Sequence, residues 1–180
     1  MMLDLLSLAD IEAARQLLTG VVITTPLEPE DVAAGELLWA VTRSMIYGVT
    51  FVLVMAFFGY VHYWAVIFTP LAVALIGLSF GLIGMVFTAL TPTIDLFSYF
   101  FTLFITPLFL FSGVFFPTER LGAAEPIAWF SPLYHAAEMM RGLILTGDLT
   151  AAGGHALWLV VFCALILPPA INLMRRRLVT

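Results

Sequence analysis

The sequence predicts an all-α polytopic membrane protein with four transmembrane helices, and three observations predict it. Hydrophobic residues make up 62% of the chain and charged residues only 11%, with a mean hydropathy of +1.08, whereas soluble domains carry about a quarter charged residues. Four stretches, 44–61, 64–90, 96–116 and 155–174, are apolar and long enough, at about 1.5 Å per residue, to cross a hydrocarbon core of roughly 30 Å. Arg175, Arg176 and Arg177 follow directly on the last stretch, the placement expected on the cytoplasmic side.

Composition also excludes function classes. The net charge is -5 and all 7 basic residues are arginines scattered along the chain, so there is no basic patch for nucleic acid. Cys163 is the single cysteine and lies in an apolar run, which rules out an intrachain disulfide and gives no support to a cysteine-based metal site.

Residues 1–42 read as a cytoplasmic amphipathic and coupling segment, and 43–180 as the transmembrane domain. At the start, Leu3, Leu6, Ala13, Ala14, Leu17 and Leu18 form a helical stripe among Asp4, Asp10, Glu12 and Arg15, the pattern of an interfacial helix. Early acids separate it from a secretory leader. Pro29 followed by Glu30 and Asp31 suits the first turn of a helix, since proline gives up no needed N–H there and acids favour the positive end of the dipole. A short exposed helix is expected near Pro29, with a solvated linker as the competing reading.

The first span, from Ser44, has Arg43 at its mouth, placed to reach the headgroups. Tyr60, His62, Tyr63 and Trp64 form an aromatic turn at the opposite interface. The second span contains Gly77, Ser79 and Gly81. GLSFG also spells the G-x-S-x-G of a hydrolase nucleophile elbow, but that motif needs a strand, a sharp turn and a helix, and here it sits inside an apolar helix. Ser79 is about 22 Å along the span, away from the end where His62, His135 and His155 gather. Gly77 and Gly81 match the small-x-x-x-small spacing of close helix contacts, so packing is expected over an intramembrane serine hydrolase.

The third span carries Pro107, which should kink or unwind it. After Pro117 comes a polar insert with Glu119, Arg120 and Glu125, then the apolar segment from Ile127 to Phe130. Ser131 is placed as a helix cap with Pro132 at the first helical position. The helix that follows puts Leu133, Ala136, Ala137, Met140 and Ile144 on one face. His135, Glu138 and Arg141 stand three apart and can interact; they read as a charge-paired interfacial cluster, with a substrate or proton site as the alternative. The region 117–145 is too polar to span and should lie in the outer interface or re-enter it. With four spans and the C-terminal arginines inside, both termini are expected in the cytoplasm. Arg15 and Arg43 then fall inside, and Arg120 and Arg141 outside.

The stretches TPLEPEDVAAGELLWAVTRSMIYG, YFFTLFITPLFLFSGVFFP and WFSPLYHAAEMMRG resemble those of ABC-2 type transporter permeases, closest to the nodulation-type lipo-oligosaccharide exporters and related polysaccharide or drug exporters. The likeness covers nearly everything after Thr24. It implies a bacterial inner-membrane exporter permease, working as a homodimer or with another permease chain among membrane lipids. Such a permease moves a lipid-linked saccharide, lipo-oligosaccharide or hydrophobic drug outward. It also implies an ABC ATPase subunit as partner and no cofactor on this chain, ATP being used by the partner. The absence of a G-x-x-x-x-G-K-[ST] phosphate loop agrees.

On this resemblance Pro26, Leu27, Glu28, Pro29, Glu30, Asp31 and Glu36 correspond to the segment that couples to the ATPase. Phe111, Gly113, Phe116, Pro117, Pro132, Tyr134, His135, Glu138 and Arg141 correspond to the outer gate and re-entrant region. Two departures stand out. The family has six membrane helices, so the first two are expected to be missing here, as in a truncated, internally started or split permease, which would leave a membrane scaffold as the alternative function. The family's proline-tryptophan step after the outer break is altered to LGAAEPIAWF.

Overall fold

The computed structural model describes residues 12, 13, 16, 28–91, 93, 96–115 and 125–179. Among the described residues every regular element is helical. The expected N-terminal amphipathic helix lies outside the described residues apart from three isolated helical positions.

Helix α1, Pro29–Phe57, is one continuous rod of 29 residues. The anticipated short helix before Arg43 and the first span are therefore a single element. Its start is as the sequence indicates: Pro29 occupies the first turn, and the Asp31 carboxylate accepts a hydrogen bond from the Glu28 backbone N–H at 3.0 Å. It ends at a turn through Phe58 and Gly59, four residues before the expected limit. A tight helical turn, Trp64–Phe68, leads into α2, Thr69–Leu90.

Between α1 and α2 the small residues act as the sequence indicates. A Cβ on Gly77 would stand 2.0 Å from the Ser44 hydroxyl oxygen and 3.3 Å from the Val41 Cα, and one on Gly81 would stand 3.1 Å from the Ala40 Cβ. Only hydrogen at these positions lets the backbones approach so closely. Ser44 uses the contact, donating to the Val41 carbonyl at 2.7 Å and reaching the Val73 carbonyl at 3.3 Å.

Within the third apolar segment, 96–116, the structure has a broken helix α3, Leu96–Leu110, about 22 Å long at 1.5 Å per residue. Pro107 is the cause. Having no N–H, it leaves the Leu103 carbonyl without its usual donor, and the turn before it, Phe100–Ile105, is widened into a π-helical segment. There the Phe101 carbonyl accepts from both the backbone N–H and, at 3.1 Å, the hydroxyl of Thr106. Stacking of Phe100 on Phe87, with ring centres 3.9 Å apart, holds α3 against the lower part of α2.

Two short helices follow, α4, Glu125–Trp129, and α5, Pro132–Arg141, joined by a sharp turn at Phe130 and Ser131. The Ser131 hydroxyl accepts from the Tyr134 N–H at 3.4 Å, as predicted for its cap. After a wide turn, Gly142–Thr146, the chain enters α6, Leu149–Val179. This helix begins six residues earlier than the span read from the sequence, because Asp148 caps it with bonds of 2.9 and 3.0 Å from the N–H groups of Thr150 and Ala151. Among the described residues three helices, Glu30–Phe57, Trp64–Leu90 and Leu149–Arg177, are long and apolar enough to cross a membrane.

The core lies where α2, α5 and α6 meet: Ala72, Ala136, Met139, Leu143, Ala152 and Leu159 are buried together. A second cluster, built on Ala33, Leu37, Leu82, Met85, Cys163 and Ala170, joins α1, α2 and α6 nearer the other end. Many large side chains on the outer faces stay exposed, among them Phe51, Phe57, Leu71 and Leu165, as expected of surfaces that face hydrocarbon.

Candidate functional site: an acidic helix start and a helical hairpin

The predicted coupling residues occupy the start of α1. Glu28, Glu30, Asp31 and Glu36 are all exposed, and Pro29 is the first helical residue; Pro26 and Leu27 lie outside the described residues. The helix that carries these acids is also a candidate span and runs to the aromatic turn at Tyr60–Trp64. Ala33 and Leu37 are the buried residues of this first stretch and seat it against the second cluster. Arg43 stays exposed, with its guanidinium 5.7 Å from the centre of the Tyr47 ring.

The predicted gate residues come together around α5. Phe111 and Gly113 end α3, while Phe116 and Pro117 lie outside the described residues. Gly113 is buried with φ of +72°, a conformation glycine adopts without steric cost. That turn aims its carbonyl at α5, where Arg141 donates to it at 2.6 Å. Arg141 also pairs with Glu138, so one guanidinium ties the end of α3 to the end of α5.

His135 does not join that pair. It is 2% exposed, its Nε2 lies 2.7 Å from the Trp129 carbonyl oxygen, and its Nδ1 lies 2.8 Å from the Nδ1 of His155 on α6. Its ring stacks on Trp158 at 4.0 Å. The expected three-member cluster is thus two separate contacts: an ion pair at the end of α5 and a buried histidine pair at its start. Burial lowers the His135 pKa from its ordinary value; the bond to the Trp129 carbonyl partly offsets this, and nearby His155 lowers it further.

The buried face of α5 is correspondingly rotated from the predicted stripe. Pro132, His135, Ala136 and Met139 face inward, followed by Leu143 and Ile144, whereas Leu133, Ala137 and Met140 are only half-buried. A polar residue can take an inward position because both ring nitrogens find partners there. Tyr134 is half-buried, with its ring edge-on to His155 at 5.8 Å. Sequence reasoning missed His155, Trp129 and Trp158; His155 is the first residue of the span read from the sequence, and nothing in its neighbours pairs it with His135.

Ser79 is fully buried, donates to the Leu75 carbonyl at 2.8 Å and lies 3.1 Å from the Cys163 sulfur. These are helix-packing contacts, and they give the nucleophile-elbow reading no support. Among the described residues, no group of three His, Cys, Asp or Glu side chains could hold a metal ion. A groove of about 620 Å³ runs between α2, α3 and α6 below the hairpin tip, with Phe87, Phe104, Pro107, Phe130, Pro132 and Phe162 in its walls.

The three stretches on which the resemblance rested fall at the start of α1, along α3 and across the turn from α4 into α5. The family model described as ABC-2 type transporter matches residues 11–145. The chain belongs to that family. Its relatives include Nodulation protein J of Rhizobium leguminosarum bv. viciae, 36% identical over 86% of this chain and 60% of the relative. Nodulation protein J of Sinorhizobium fredii is 32% identical over 88% of this chain and 61% of the relative. The chain therefore spans about three-fifths of the length of these ABC-2 relatives. No solved structure matches.

Proposed function

We propose that the chain serves as membrane permease in an ABC-2 type exporter of a bacterial inner membrane. In this reading it moves a lipid-linked saccharide, lipo-oligosaccharide or hydrophobic drug outward, with ATP hydrolysed by a separate ABC ATPase subunit. One observation carries it beyond family membership: the exposed acidic turn and a membrane-crossing helix are one rigid element, α1. A partner whose affinity for Glu28, Glu30, Asp31 and Glu36 changes with nucleotide state would shift that rod as a body.

The remaining assignments belong to the same proposal. Both termini lie in the cytoplasm, with Arg175, Arg176 and Arg177 at the inner surface, and the hairpin α4–α5 closes the outer side. The aromatic groove beneath its tip suits the apolar part of an amphipathic cargo. A second permease chain, identical or related, completes the path.

Co-purification tests the reading. An ABC ATPase subunit is expected to be retained by the unaltered chain in detergent and to be lost or weakened when Glu30→Arg and Asp31→Arg are combined. Undiminished retention by the double variant would remove the coupling assignment. A chain that inserts, binds no ATPase and supports no nucleotide-dependent transport would instead be a membrane scaffold.

A further inference from the structure

His135 and His155 face one another through Nδ1 atoms 2.8 Å apart, and only one hydrogen can lie on that line. Which ring supplies it follows from the other side of His135. Its Nε2 is 2.7 Å from the Trp129 carbonyl oxygen, which can only accept, so a neutral His135 carries its proton on Nε2. Its Nδ1 is then bare, and the hydrogen between the rings belongs to His155. His155 can gain a proton on Nε2 without disturbing this bond. With that proton in place the shared hydrogen can sit on either Nδ1, so the bond survives one added proton; a second puts an N–H on both Nδ1 atoms and leaves no acceptor between them.

This bond is also where α5 is fastened to the rest of the protein. The Trp129 carbonyl belongs to α4, His135 to α5 and His155 to α6, so three elements meet at one imidazole, stacked on Trp158 at 4.0 Å. We propose that the pair is a proton-operated latch: it clamps the outer hairpin to α6 while at least one of the two rings is neutral, and a second proton taken from water, leaving an N–H on both Nδ1 atoms, breaks the bond between the rings and frees the hairpin.

The other charged and titratable groups around the pair are few. On α5 they are Tyr134, edge-on to His155, and Glu138, whose charge reaches His155 and which is itself held by Arg141. In sequence, α4 carries only Glu125, at its first position. The Trp64–Leu90 stretch and the turn Gly142–Thr146 carry no acid or base, and α6 adds only Cys163 and the distant Arg175, Arg176 and Arg177 beyond His155 itself. Asp148 and Tyr63 border the hairpin's exit, Asp148 as the α6 cap and Tyr63 against Gly147.

The sign follows from linkage. Freed, both rings titrate in the ordinary histidine range near 6.5; clamped, the pair holds one added proton at most, and burial keeps His135 lower. The clamped state is therefore fully favoured above about pH 6.5 and loses up to about tenfold per pH unit below it.

The test uses the full chain in lipid nanodiscs, with Cys163→Ala and spin labels at Phe130→Cys on the hairpin tip and Asn172→Cys on α6. Between pH 8 and 4.5 the label distance should develop a longer component that grows up to about tenfold per unit below pH 6.5. His135→Gln offers the same acceptor to His155 and the same donor to Trp129 but cannot titrate, so it should hold the short distance throughout. His155→Gln donates to a neutral His135 and, with its amide turned over, accepts from a charged one, so it too should hold the short distance throughout. A response that survives His135→Gln, or no response in the unsubstituted pair, overturns the latch. Should His135→Gln not fold, nitrogen spectra of the three histidines decide: His135 must be protonated on Nε2 at pH 8, and an Nδ1–H form there overturns it. No readout involves transport or an ATPase, so the outcome stands apart from the proposed function.

Discussion

Two helices in this protein begin with the same local grammar and end up doing opposite things. Helix α1 starts at Pro29 behind Glu28, and α5 starts at Pro132 behind Ser131. At α1 the contact that secures the start is local: Asp31 bonds the Glu28 N–H three residues away, in water. At α5 the cap is local too, but the helix is fixed by partners 20 and 28 residues distant, His135 to His155 and Arg141 to Gly113. A locally secured helix can move as a rod without losing what secures it. A helix fastened by distant partners is either docked or released, which is the behaviour wanted of a closure.

If that contrast is right, substitutions at the two starts should differ greatly in cost. The largest effect is expected from His135→Ala, which removes the ring stacked on Trp158 and leaves the Trp129 carbonyl and the His155 N–H without partners. A lost buried side chain and an orphaned polar group together place the loss at about 2–4 kcal/mol, read as a lowered thermal unfolding midpoint in detergent. A loss under about 0.5 kcal/mol would mean that the pair does not hold the hairpin. Next comes Arg141→Gln, which breaks the ion pair to Glu138 and weakens the bond to the Gly113 carbonyl. Because the guanidinium is 40% exposed, water compensates in part, and about 1 kcal/mol is expected. Its signature is that protease cleavage between Phe111 and Phe115 should become faster, while α1 and α2 stay protected.

The same contrast explains what could be read from the residues alone. Pro29 at a helix start, the Ser131 cap, the Gly77 and Gly81 approach and the disturbance at Pro107 are set by neighbours within four residues or by residue size, and each was legible. The consequence of Pro107 was harder to foresee: a missing donor announces a break, but whether the helix kinks or widens depends on Thr106 offering both its N–H and its hydroxyl to Phe101. Helix α6 was read as starting at His155, although Asp148 behind Gly147 is an ordinary cap signal. Taking the first apolar run as the helix start hid it. The inward turn of α5 was not legible, since His135 looks polar until His155 and the Trp129 carbonyl are brought beside it. An amphipathic stripe assigns polar residues to water and cannot anticipate a polar group satisfied by a distant partner.

The smallest effect is expected at the acidic start, and it sharpens the comparison most. Asp31→Ala removes the bond to the Glu28 N–H and one charge favourable to the helix dipole, at an exposed position where water replaces what is lost. The cost to folding should be about 0.3–1 kcal/mol, and less at high salt. Helix α1 is seated by Ala33 and Leu37 against α2 and α6, contacts that the substitution leaves alone, so thermal stability should hardly move while affinity for an ATPase partner falls. A loss in Asp31→Ala as large as in His135→Ala would show that the first turn of α1 is docked on something, and the division between a mobile rod and a fastened hairpin would have to be given up.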